Sequence, residues 1–158
     1  MANITCMNKL VGLVLLLGVT VSSLFFSCKR SVTSNSSYSM KAKIGDDEYS
    51  TPNCMAFISD HTLVIEGLAT SSPFPTMPYV AIAIPTWFGA TGPYALDSFL
   101  GHPNLRYFVT NADDYKMSMY GEVNINSVST ELITGTFYCT TKDSTEIKNG
   151  TFTAKVFK

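Results

Sequence analysis

Histidine, tryptophan and clustered charge are scarce in this chain of 158 residues. The two histidines, His61 and His102, lie far apart and beside turn-forming residues. A zinc site needs three or four ligands, and no H-x-x-E-H or C-x-x-C spacing is present. No metal or other cofactor is therefore expected, and both histidines read as solvated loop residues. No G-x-S-x-G elbow occurs, which leaves an acyl-transfer nucleophile without support. The 11 Lys and Arg residues are balanced by 12 Asp and Glu, and no basic cluster stands beyond Lys29 and Arg30. Binding nucleic acid requires a basic face against the phosphates, so that class of partner is disfavoured. "GATG" at residues 89–92 lacks the Gly-Lys-Ser/Thr ending of a phosphate loop and reads as a turn. Asp46 with Asp47, and Asp113 with Asp114, fit no D-x-D-x-D-G calcium loop and read as turn aspartates. Also missing after residue 40 is any segment that keeps a helical hydrophobic period for two turns. The best candidate, "LDSFLGHP", is broken by Gly101 and Pro103.

What is present begins with a leader. Lys9 precedes the apolar segment "LVGLVLLLGVTV", and the small residues Ser22 and Ser23 follow, the basic, apolar, small order of an export signal. The run from Leu10 to Phe26 only reaches the lower end of the roughly 17–25 residues that a membrane-spanning helix needs, so a retained helical anchor is the alternative. "FFSC" resembles the lipobox that ends bacterial lipoprotein signals, with Phe25 at −3, Ser27 at −1 and Cys28 as the residue whose thiol takes a diacylglycerol. Residues 1–27 are accordingly expected to be removed and Cys28 to be lipidated. "MNKLVGLVLLL" from Met7 forms a compact signal by itself, so translation can start there, in which case Cys6 is never made. Residues 28–39 carry the lipid and then a serine-rich stretch, "KRSVTSNSSYS", without hydrophobic periodicity. It reads as a flexible tether with a reach of roughly 15–20 Å.

Residues 40–158 read as one all-β domain. "MKAKIG" and "DEYS" flank a turn at Gly45 and Asp46 and predict a hairpin. "TLVIEGLA" and "YVAIAIP" are short runs rich in β-branched residues, bounded by Ser, Pro and Gly. "YALDSF", "RYFVT" and "YKMSMYGEVNIN" follow, and Gly121 inside the last predicts a bulge or a break between two strands. "ITGTFYCTT" and "IKNGTFTAKVF" predict a closing hairpin. Phe137, Cys139, Phe152, Ala154 and Val156 face the core, while Thr136, Tyr138, Thr151, Thr153 and Lys155 face outward. Eight to ten short strands bury one face either as an antiparallel β-sandwich or as a β-barrel.

"SYSMKAKIGDDEYSTPNC" after a lipid-anchor leader, then "LVIEGLA", "GPYALD", "GEVNINSV" and "ITGTFYCTT … EIKNGTFTAKV", together resemble an uncharacterised family of Bacteroidota lipoproteins. The resemblance spans most of residues 39–158 and implies an all-β envelope domain with no assigned function and no catalytic residues. Tyr49 stands where many relatives carry tryptophan. Lys29 and Arg30 stand where some surface-exported lipoproteins carry acidic residues.

Three sets of side chains are candidates for function. Cys54 and Cys139 can form a disulfide, which would stabilise the fold by on the order of 4 kcal/mol, or remain two separate core thiols. Trp87, Phe88 and Tyr94, with Phe74 and Met77, stand in loops rich in Pro and Gly. If exposed together they form a platform for a glycan, an apolar ligand or an envelope protein; otherwise they close the end of the core. Glu66, Asp97 and Glu122 are the carboxylates from which a glycan-active enzyme would draw its pair, and their separation in space decides that. The leading expectation is a lipid-anchored outer-membrane protein whose domain is a non-catalytic binding or accessory module, its membrane contact made through the lipid on Cys28.

Overall fold

The computed structural model describes residues 37–68 and 78–157. Cys28, the leader and nearly all of the tether lie outside the described residues, as do Phe74 and Met77. The described residues form ten strands: β1 (Ser39–Ile44), β2 (Asp47–Thr51), β3 (Asn53–Ser59), β4 (Thr62–Leu68), β5 (Tyr79–Ile84), β6 (Gly92–Asp97), β7 (Asn104–Phe108), β8 (Tyr115–Val128), β9 (Leu132–Thr141) and β10 (Glu146–Phe157). Among the described residues no helix is long and apolar enough to cross a membrane.

Between sandwich and barrel, the structure is a barrel. Seven strands close in the ring order β3-β4-β5-β7-β8-β9-β10, and β10 returns to β3. Two long strands make the closure possible. β8 pairs with β9 along one side, while its other side pairs first with β7 (Arg106↔Met117) and then with β6 (Ala95↔Glu122). β10 likewise keeps β9 on one side and gives its other side first to β1 (Lys41↔Thr151) and then to β3 (Lys155↔Met55). The β10–β3 seam is the one parallel pairing in the ring. The β1–β2 hairpin and β6 therefore hang on the ring as extra strands.

Local chemistry explains the turns. Gly45 takes φ 59° between β1 and β2, the left-handed conformation that primed hairpin turns demand. Between β3 and β4 the same demand falls on Asp60 and His61, at φ 46° and 62°, the pair that the Ser59↔Thr62 register leaves as the loop. β8 runs through Gly121 without a break, so of the two sequence expectations there, a bulge or a break, the break is not found. The register shifts instead on either side, between Ser118 and Tyr120 and between Ile125 and Ser127. Gly121 is needed for a different reason: a Cβ there would collide with the backbone of Tyr138 and Cys139.

The barrel is filled. Inward positions alternate along every long strand and supply Leu63, Ile65, Ile82, Leu105, Ile125 and Ile133, all essentially inaccessible to solvent. Phe137, Cys139, Phe152 and Ala154 join them, as the closing-hairpin pattern predicts, and Val156 packs half-buried against them. Tyr49 on β2 is buried too, and its hydroxyl donates to the Gly67 carbonyl at 2.5 Å, which ties the hairpin to β4. Burial pushes the Tyr49 hydroxyl well above the usual phenol range, so it remains a donor. A second, smaller apolar cluster lies on the outer wall, where Leu68, Tyr79 and Phe108 pack with Met55 and Ala81.

Candidate functional site

The aromatic loop does not present a platform. Trp87 is only 4% exposed and belongs to the core. Its indole N–H donates to the Ala90 carbonyl at 3.0 Å, and the Tyr94 hydroxyl donates to the same carbonyl at 2.9 Å. One backbone oxygen thus gathers two rings and folds residues 87–94 back over the barrel, because the large apolar indole gains more from burial than from solvent. Tyr94 is half-buried, and Phe88 alone is exposed, its ring 4.9 Å from that of His61. Trp87, Phe88 and Tyr94 are therefore a core plug, a surface ring and a strut, not three faces of one surface.

Cys54 on β3 and Cys139 on β9 are separate buried free thiols, not a disulfide. Cys54 lies opposite Gly67 of β4 and Cys139 opposite Ile147 of β10 and Gly121 of β8, so neither strand pairs with the other. Burial pushes both thiols up to about 12, which keeps them protonated and unreactive at neutral pH.

The three candidate carboxylates divide between two walls. Glu66 faces outward on β4 between Met55 and Ala81, and its half-burial raises its pKa. Asp97 ends β6. The Phe99 N–H donates to it at 2.8 Å and the His102 Nδ1 lies 2.7 Å from it; these contacts hold its carboxyl below the usual range. Glu122 on β8 lies opposite Ala95, which makes it a diagonal neighbour of Asp97 on the outer face. His61 and His102 are exposed turn residues, as expected, though His102 also braces the β6–β7 loop through Asp97. Asp114 accepts from the Thr110 hydroxyl inside the β7–β8 turn. Among the described residues no three His, Cys, Asp or Glu side chains stand together as a metal site.

A surface that the sequence did not single out lies on the outer face of β8, β9 and β10. The β9–β10 register shifts between Ile147 and Gly150, so Lys148 and Asn149 bulge out of the ladder, and Asn149 takes φ 54°. Gly150 must remain a glycine because Phe137 packs onto it from β9; a Cβ would overlap the phenyl ring. The bulge opens a depression of about 600 Å³ lined by Thr136, Phe137, Tyr138, Lys148, Asn149, Gly150 and Thr151. Tyr138, 53% exposed, stands at one side of it, and Tyr120, 60% exposed, lies one diagonal step away on β8. Glu122 is directly opposite Tyr138. Alternation placed Thr136, Tyr138 and Thr151 outward from the sequence alone. The bulge that turns them into a site has no periodic signature.

No protein-family model, curated protein or solved structure matches the chain. The likeness to Bacteroidota lipoproteins therefore rests on the motifs quoted above, and the function must be argued from this surface.

Proposed function

We propose that the chain is a lipid-anchored envelope protein, held to the outer membrane through Cys28, whose barrel is a non-catalytic binding module. The anchor half is supported by the short apolar leader, the "FFSC" stretch and the serine-rich tether. One observation carries the binding half. Among the described residues the inward positions are filled by buried apolar side chains, and on the outside exposed aromatic rings, hydroxyls and a depression coincide on β8–β10. Tethered by about a dozen residues, the barrel can present that face to molecules near the membrane while the lipid supplies its location.

A glycan-active enzyme is the second reading, and the diagonal placement of Asp97 and Glu122 favours it. A glycosidase needs one carboxyl held protonated beside one held ionised. Of the three candidates the carboxyl raised is Glu66 on β4 and the lowered one is Asp97 on β6, with β5, β7 and β8 between them in the strand order. Glu66 and Asp97 therefore do not form the adjacent carboxyl pair that cleavage requires.

Detergent phase partitioning of the expressed protein tests the reading. Wild type should enter the detergent phase and Cys28→Ser the aqueous phase with its β-sheet circular dichroism intact. Equal retention of both in the detergent phase would mean a helical anchor. Incubation with hexasaccharides should release no new reducing ends; release that disappears in Glu122→Gln would establish the enzyme instead.

A further inference from the structure

We propose that the outer face of β1, β10 and β9 binds an acidic polysaccharide, a chain of sugar rings that bear carboxylate groups. The inference rests on the binding-module reading and names its ligand class.

The depression at the β10 bulge has two unlike borders. On the β9 side stands Tyr138, an exposed ring whose apolar face suits the C–H face of a pyranose. On the other side runs β1, where Lys41 lies opposite Thr151 and Lys43 opposite Lys148. Lys148 is neutralised by Glu146 at 2.6 Å. Among the described residues Lys41 and Lys43 form no ion pair, although Glu48 is the β2 residue opposite Lys43. The floor between these borders is uncharged: the Thr136 and Thr151 hydroxyls and the Asn149 amide donate and accept freely.

This distribution selects a ligand. A purely apolar partner would leave two lysines beside its surface with no counter-charge. A neutral sugar would use the ring and the hydroxyls and ignore the lysines. A sugar acid uses all three, with its ring on Tyr138, its hydroxyls over the threonines and its carboxylate towards Lys41 and Lys43. Glu122 beyond Tyr138 accepts hydrogen bonds from sugar hydroxyls and repels a second carboxylate, which sets the direction of the chain across the face. It also disfavours nucleic acid, whose phosphates would pass Glu122 on one flank and Glu48 on the other.

Titration calorimetry of the full chain in detergent tests the proposal with three probes: hexagalacturonate, cellohexaose as the neutral control and a hexaglutamate peptide as the charge-only control. Hexagalacturonate should bind saturably and at least about tenfold more tightly than either control. Tyr138→Ala should weaken it by about tenfold or more. Lys41→Gln combined with Lys43→Gln should weaken it and flatten its salt dependence. These side chains lie on the outer face, so the unfolding midpoint of each variant checks that the fold is kept. Equal affinity for hexaglutamate, or wild-type affinity in either variant, overturns the proposal. Tighter binding of cellohexaose that is lost in Tyr138→Ala overturns the acidic ligand and leaves the binding module standing. Binding of none of the probes at millimolar concentration counts against the site itself, while the partitioning of Cys28→Ser judges the anchor independently.

Discussion

Neighbouring residues on one loop have opposite fates, and Trp87 and Phe88 show why composition alone could not decide them. Both are large and apolar, and both stand between Pro85 and Gly92. Trp87 reaches the core because its backbone N–H donates to the His61 carbonyl and its indole to Ala90, which fixes the ring inward. The first bond depends on the β3–β4 turn lying beside the loop, a long-range juxtaposition that no local pattern records. Trp87→Ala should therefore cost about 3–5 kcal/mol in urea unfolding, whereas Phe88→Ala should stay within about 0.5 kcal/mol. The thiols give a second residue-scale expectation. Cys54 and Cys139 are raised from 9.0 to about 12 by burial. Above about pH 9 the unfolded chain sheds protons that the folded chain keeps, so their stabilising effect is full below pH 9 and is lost as pH rises towards 12. Tyr49, shifted in the same direction, adds to the slope from about pH 10 upward. Urea midpoints measured between about pH 8 and pH 11 should fall steadily, and less steeply for Cys54→Ala with Cys139→Ala.

β10 is the element on which the architecture turns. It pairs with β9, with β1 and, over its last three residues, with β3. Its existence, its partner β9 and its outward residues were legible in "IKNGTFTAKVF", since alternation and the polar turn at "TKDSTE" specify a hairpin. The parallel seam was not legible, because a three-residue pairing between the last strand and the third leaves no pattern in either. Deleting residues 155–158 should leave the hairpin but open the ring. The expected result is a lower, broader thermal transition and faster amide exchange in β3, measured by hydrogen–deuterium exchange. Gly150→Ala tests the bulge: forcing a Cβ against Phe137 should destabilise by about 1–3 kcal/mol. It should also weaken hexagalacturonate binding, because the depression depends on that close approach. A single strand thus closes the barrel at one end and shapes the proposed binding face at the other.

Across the whole molecule, the proposed reading gives the leader the address, the tether the reach and the barrel the recognition. The all-β class and the turns at Gly45 and "TKDSTE" followed from periodicity and from Gly and Asp punctuation, which are local properties, whereas β3 and its turn at Asp60 and His61 were not read from the sequence. Ring closure, the burial of Trp87 and the joining of Tyr138 to Lys41 and Lys43 across β10 followed from pairings between distant strands, which single-sequence patterns do not encode. Of the two readings of the aromatic loop, closure of the core is the one Trp87 follows, and the outer tyrosine, threonine and lysine face went unseen for that reason. In the proposed reading, Cys28 is what joins the folded face to a place in the cell. Mass spectrometry of the mature protein extracted from membranes tests this claim most directly. A diacylglyceryl-modified Cys28 should be its first residue; an unmodified chain that still begins at Met1 or Met7 would contradict it.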